Sequence, residues 1–337
     1  FHYDDAAFAI GDKVIVLIQR YDFAPLDGIT KVVFRQVYHR MFGGADRYFI
    51  PFFSPTDQHI LTKRDQRELD PAANAGLPVV PQVMTRRAPD FLWAAEIVAD
   101  MGYTEVNLNL GCPSGTVTAK GKGAGFLAKP EELERFFDEV FAAVKLPVSV
   151  KTRLGVKEPE EFERLLDIYN RYPIACLTIH PRIQKQFYKG TVHRDWFAWA
   201  AERSRNPLCY NGDLVTVEDC TVFAVDFPAI DAVMIGRGAI ADPALLRKLR
   251  GGVPATRQEL QTFTRTLYQS YQDFYGQVGP AAQRMKEVWF FLIHLFEGGE
   301  RHDKKMRRLR TPGEYEAVEA SIFQELPLRD HAAGAFR

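Results

Sequence analysis

The 337-residue chain has no charge imbalance, with 43 Lys and Arg against 43 Asp and Glu. Neutrality excludes a protein held to nucleic acid by net charge alone, while leaving room for a local basic patch. Cysteine is scarce. The four present, Cys112, Cys176, Cys209 and Cys220, show no CxxC spacing, which argues against a zinc site or a disulfide framework and fits a reducing, cytoplasmic setting. Long hydrophobic runs are also missing. The longest, Val288–Phe296, contains His294 and falls far short of the ~20 apolar residues of a membrane-spanning helix. Val14–Ile18 is too brief for the apolar part of a secretory signal, and no small-residue cleavage site follows it. With 46% apolar and 26% charged residues, the composition is that of a soluble globular protein rather than a disordered or fibrous one.

What the sequence does have is a repeated alternation. Short β-branched or aromatic runs recur with helical stretches between them. The candidate strands are Tyr21–Ala24, Tyr48–Phe53, Val79–Met84, Glu105–Leu110, Val148–Thr152, Ala175–His180, Leu208–Asn211 and Ala232–Ile235. Their starts lie about 24–43 residues apart, a βα-unit spacing. Between them, Pro130–Val144 carries Leu133, Phe136, Phe137, Val140, Phe141 and Val144 on one face. Its Pro and its Glu pair fall in the first turn, where both suit a helix start. Eight such units in about 230 residues predict an α/β fold of the (β/α)8 barrel type, with a doubly wound open sheet as the runner-up. After Gly251-Gly252-Val253-Pro254 no strand pattern returns. Residues 258–275, 281–296 and 313–324 read as amphipathic helices, so the division expected is a barrel over 21–252 and a small all-α domain over 253–337. Residues 1–20 stand outside the pattern. There, Lys13–Gln19 reads either as a strand covering a barrel end or as an artefact of the chain's start.

Barrel enzymes build their sites at the C-terminal ends of strands, and the polar residues cluster there. The first strand ends Ala24-Pro25-Leu26-Asp27-Gly28, the third carries Gln82, and the fourth ends Asn107-Leu108-Asn109-Leu110-Gly111-Cys112-Pro113. The fifth ends Lys151-Thr152-Arg153 and the sixth His180-Pro181-Arg182. The seventh ends Asn211-Gly212-Asp213 and the eighth Gly236-Arg237-Gly238. Packing alone does not account for so many, because a buried unpaired charge costs several kcal/mol. The glycines after the last two strands suit a phosphate, which barrels often bind there through backbone N–H groups, and Arg237 would add a bidentate contact. Lys151 near Gln82 and His180 offers a fixed cation with amide and imidazole donors, which suits the anionic edge of a reduced flavin.

These blocks resemble those of the tRNA-dihydrouridine synthases. Asn109-Leu110-Gly111-Cys112-Pro113-Ser114 followed by Lys120-Gly121-Lys122-Gly123-Ala124-Gly125 is similar to that family's signature loop. The strand-1 start, Val150-Lys151-Thr152-Arg153, His180-x-Arg182-x3-Gln186-x-Tyr188, Asn211-Gly212-Asp213 and Met234-Ile235-Gly236-Arg237-Gly238 come in the family's order and spacing. The resemblance implies an FMN-containing barrel, a helical domain that helps hold tRNA, and NADPH-dependent reduction of the uridine C5=C6 bond. By position it assigns Pro25, Leu26 and Asp27 to the flavin through strand 1, Gln82, Lys151 and His180 to its ring, and Asn211, Gly212, Asp213, Gly236 and Arg237 to its phosphate. Asn109 and Arg153 would sit near the target base with Arg182, Lys185, Gln186 and Tyr188, and Cys112 would be the proton donor. The chain departs from the family at Leu26, where many members have Met, and at Pro181 and Ile183, where Gly and Thr are common.

The chemistry has its own requirements. Hydride delivered from flavin N5 to uridine C6 leaves charge over C5 and O4, and a positioned acid must protonate C5. A thiol is mostly protonated at neutral pH and can donate; Cys112 is the one on a loop after a strand. A base inside folded tRNA must be flipped out, with the energy drawn from contacts elsewhere, largely to phosphates. Lys120, Lys122, Arg153, Arg182, Lys185 and Lys189 at the barrel rim, and Arg301, Lys304, Lys305, Arg307, Arg308 and Arg310 in the helical part, supply cations for that. Phe187 and Tyr188 would stack on an exposed base, or Phe187 would serve as an apolar lid. A small-molecule flavin oxidoreductase on the same barrel, or an RNA-binding module without catalysis, are the competing readings. A monomer is expected.

Overall fold

The structure is a computed structural model; it describes residues 7–10, 13–16 and 18–333. Two short strands, β1 (Ala7–Ile10) and β2 (Lys13–Val16), pair with each other antiparallel, so Lys13–Val16 of the stretch expected as a strand is one. Eight more follow: β3 (Arg20–Phe23), β4 (Arg47–Phe53), β5 (Val79–Val83), β6 (Val106–Leu110), β7 (Val148–Gly155), β8 (Leu177–Ile183), β9 (Leu208–Tyr210) and β10 (Ala232–Ile235). Each of the eight expected strands is there, within a few residues at its ends. They close into a barrel in the order β10-β3-β4-β5-β6-β7-β8-β9, and the ladders from β4 to β10 are parallel. The closed barrel, not the open sheet, is the fold.

The described residues fall into two compact units. One holds the chain up to Asp22, Arg47–Gly212 and Phe223–Met234; the other holds Phe23–Asp46, Asp213–Val222 and the chain from Ile235 onward. In the first, the helix Pro130–Ala143 buries Leu133, Phe136, Phe137 and Val140. Phe137 meets Tyr169 edge-on, 6.0 Å between ring centroids, and Phe136 meets Phe126 at 5.6 Å. The N-terminal end of this unit is closed by charge instead of hydrocarbon. Asp22 is fully buried and receives Arg47 through two bonds of 3.0 and 2.8 Å, with Arg20 at 3.3 Å. Arg47 also bonds Glu105 at 2.7 Å. Arg20 donates to the sulfur of Cys176 at 3.1 Å, and that thiol, hydrogen-bonded to Cys209 and beside Arg20, is lowered to about 7. Cys176 and Cys209 are buried and belong to this polar floor.

The second unit is helical where no strand pattern was read. Arg257–Tyr275, Val278–Leu292, Glu300–Arg308 and Pro312–Glu325 are helices. The first begins with Thr256 and Glu259 capping each other's backbone, and the last with Thr311 and Glu314 doing the same. The helix Val32–Met41 packs here too. Phe34 and Phe42 meet Phe263 edge-on at 6.2 and 5.2 Å, and Arg247 pairs with Glu259 through its two terminal nitrogens, Nη1 and Nη2. His294 lies near the end of the second long helix in a short 3-10 turn.

Candidate active site

In the first unit, β5 to β8 bring a set of polar side chains to one face because residues two apart on a strand share a side. Strand register aligns Gln82 with Asn107 and Asn107 with Ser149; further along, it aligns Asn109 with Lys151 and Lys151 with Thr178. The amides form one directed chain. Asn107 donates to Ser149 Oγ at 2.8 Å, Gln82 donates to Asn107 Oδ1 at 2.8 Å, and Asn109 donates to Gln82 Oε1 at 2.8 Å. Asn109 Oδ1 then accepts the backbone N–H groups of Gly111, at 3.0 Å, and Cys112. The start of the Cys112 loop is thereby anchored to the barrel interior. Asn107 and Ser149 are not singled out by the sequence pattern, although Asn107-x-Asn109 and Ser149-x-Lys151 already alternate polar residues at the right period.

The loop after Cys112 turns back on it. Ala124 donates to the Cys112 carbonyl at 2.9 Å. Gly123, at φ +56°, lies so close that a Cβ there would come within 2.7 Å of that carbonyl oxygen, so only glycine fits. Cys112 itself is partly exposed. At the turn, Arg86 packs beside Gly121. This exposed cation from the loop after β5 has Lys120 and Lys122 on either side of that glycine, and no motif in the sequence marks it.

Lys151 has no hydrogen-bond or ion-pair partner among the described residues. Burial, followed by the charge of Arg153, lowers its amine to about 8. Arg153 is buried and braces the backbone: Nε donates to the Gly111 carbonyl at 2.7 Å, and Nη1 donates to the carbonyls of Ile183 at 3.2 Å and Phe187 at 2.7 Å. Its guanidinium carbon lies 5.4 Å from the Tyr188 ring centroid. Burial and the neighbouring Arg182 lower its ordinary value to about 10.

Arg182 and Gln186, expected near the substrate, both bond the chain around them. Arg182 is fully buried. It donates to His180 Nε2 at 3.0 Å and to the carbonyls of Gly190 at 2.6 Å and Lys189 at 3.4 Å. A guanidinium has only donors, so His180 Nε2 is the acceptor. Gln186 accepts from the Ile183 N–H at 2.9 Å and donates to the Thr191 carbonyl at 3.4 Å. Both residues hold the segment after β8 in shape. Tyr188 lies at the end of that segment, 44% exposed, its ring 6.1 Å from that of His180. Lys185 is exposed. At the end of β9, Asn211 donates to the Met234 carbonyl at 2.8 Å, and Gly212 sits where a Cβ would crowd Val192 and the Tyr210 hydroxyl.

In the second unit, Pro25 and Leu26 are half-buried and Asp27 is exposed, with Asp27 accepting the Gly28 N–H at 3.0 Å. Arg237 pairs with Asp213 at 2.7 Å. A Cβ on Gly236 would press on Ala24 and Leu26, and one on Gly238 would overlap the Leu214 carbonyl. Gly236 and Gly238 are therefore closed to side chains by the chain packed against them.

A closed eight-stranded α/β barrel, with Lys151 and an anchored cysteine loop at its strand ends, is built as barrel enzymes are. The dihydrouridine synthase (Dus) family profile matches residues 22–326, and the chain belongs to that family. It is 31% identical over 281 residues to "Probable tRNA-dihydrouridine synthase 1" of Synechocystis sp., covering 79% of this chain and 76% of the relative. It is 32% identical over 244 residues to "tRNA-dihydrouridine(16) synthase" of Ralstonia nicotianae, covering 69% and 73%. Among solved structures, morphinone reductase shares the fold with a TM-score of 0.50 at 16% identity, over 74% of this chain and 90% of that one.

Proposed function

We propose that the protein reduces the C5=C6 bond of uridines in tRNA to 5,6-dihydrouridine, with FMN as its flavin and NADPH as reductant. The observation that carries this reading is the half-buried Lys151 at the end of its barrel strand, its amine without a partner among the described residues, beside a cysteine loop anchored by Asn109 and Arg153. A cation left without a counterion calls for an anionic ligand. The flavin fits that need: Lys151 would hold the negative edge of its ring with Gln82 and His180, and the residue 211–213 and 236–238 backbones with Arg237 would hold its phosphate. Pro25, Leu26 and Asp27 would line it.

A flavin held there would supply the hydride for C6 of the base. Cys112 donates a proton from its thiol to C5. Its loop is held at both ends, by Asn109 Oδ1 before it and by Ala124 on its own carbonyl, so the sulfur swings within a defined arc. Asn109 and Arg153 act by fixing that arc, and Tyr188 faces the base. Residues 253–337 form the tRNA-recognition part, with the exposed cations of Glu300–Arg308 meeting phosphates. A cytoplasmic monomer is part of this reading; no helix among the described residues is long and apolar enough to cross a membrane. The test is incubation with unmodified tRNA and NADPH, with dihydrouridine mapped by mass spectrometry. A yellow protein that forms none would overturn the substrate and leave the flavin.

A further inference from the structure

The segment after β8 carries an unusual backbone. Phe187 adopts φ +52°, ψ −101°. Bulky side chains avoid positive φ, and holding one there costs on the order of 1–3 kcal/mol. Burial does not repay it, since the Phe187 side chain is 46% exposed.

The conformation is nonetheless strongly braced. Gln186 closes the turn on the Ile183 N–H. Arg182 holds the Lys189 and Gly190 carbonyls that follow. Arg153 holds the Phe187 carbonyl itself, and the same guanidinium holds the Gly111 carbonyl next to Cys112. Two buried cations are thus used to keep an apolar ring in water, tied to the loop that carries the acid. Lys185 and Lys189 flank the ring in sequence. Both are exposed, and neither side chain has an acidic partner among the described residues. An exposed aromatic between two such cations fits a base with phosphates on either side.

We propose that Phe187 is a stacking wedge. When a uridine is extruded toward Cys112, the Phe187 ring covers the face of the neighbouring base that the extrusion uncovers. The inference rests on the tRNA reading above. Apolar wedges stabilise opened stacks in other nucleic-acid complexes in the same way, and the strained backbone sets the ring where the gap opens.

The test uses full-length holoenzyme and unmodified tRNA. Phe187→Ala and Phe187→Gly are expected to raise the KM for tRNA about tenfold or more, with reduction of the bound flavin by NADPH unchanged. Phe187→Gly should at the same time raise the thermal midpoint, because glycine accepts this φ without strain. Phe187→Trp should keep KM close to the parent's, and the F187W protein should gain tryptophan emission that tRNA quenches beyond the parent's response. A parent-like KM in both truncated variants, a lowered midpoint in Phe187→Gly, or no added quenching in F187W would each overturn the wedge. If the parent itself forms no dihydrouridine, the function reading falls instead, and the emission titration alone decides the wedge.

Discussion

At the scale of single residues, the site separates groups that do chemistry from groups that hold them. Cys112 is on the chemical side. Replacing it with Ala should leave NADPH-dependent reduction of the flavin intact, seen as bleaching of its visible absorbance, while dihydrouridine formation falls about a hundredfold or more. Parent-like turnover in that variant would remove the thiol from the mechanism. Lys151 is on both sides. Its amine titrates near 8 in place of the ordinary 10.5 because burial disfavours the cation. A base whose folded value is depressed binds fewer protons folded than unfolded, so stability rises with pH from about 8 to 10.5. Below that window the charge works against the empty fold. Lys151→Met apoprotein should therefore be more stable than the parent at pH 7 by on the order of 2 kcal/mol, and the gap should narrow from pH 8 upward in urea titrations. The same variant should fail to retain flavin. A destabilised Lys151→Met apoprotein would mean that the amine has a partner in the fold.

At the scale of elements, the strands were legible because β-branched and aromatic runs stand clear of the 3.6-residue pattern around them. Val148–Thr152 and Ala232–Ile235 read directly as strands, as does the Pro-Glu-Glu start of the helix at 130. Loop side chains were harder. The bonds of Arg182 and Gln186 to the segment after β8 are not legible locally, since nothing in the sequence says which carbonyl several residues on a donor faces. The Gln82–Asn107–Ser149 chain depends on register between strands tens of residues apart, and the Arg20–Asp22–Arg47 floor depends on barrel closure. The glycines were legible as a pattern, and their reason is steric. Gly238→Ala would press a methyl into the Leu214 carbonyl and to within 2.9 Å of Val215 Cα. This variant should lose about 1–3 kcal/mol in urea unfolding and bind FMN more weakly. An unaffected midpoint would show that the turn relaxes freely.

At the scale of the whole molecule, neutrality conceals a division of labour. The floor of the first unit pairs its charges internally, whereas the helix Glu300–Arg308 turns Arg301, Lys304, Lys305, Arg307 and Arg308 to solvent and buries His302 and Met306. Arg307 is engaged with Asp303 at 2.6 Å and lies over the Phe290 ring, so the other cations are better placed for phosphate. Neutralising Lys304 and Arg308 together should weaken tRNA binding and flatten the slope of log K against log salt by roughly one unit for each phosphate no longer neutralised. An unchanged slope would place the RNA elsewhere. Finally, the guanidinium of Arg153 ties the backbone beside the proton donor to the backbone of the exposed ring. The acid and the aromatic thus share one fulcrum: where it tilts, both tilt in step, and aligning a nucleotide against one presents it to the other.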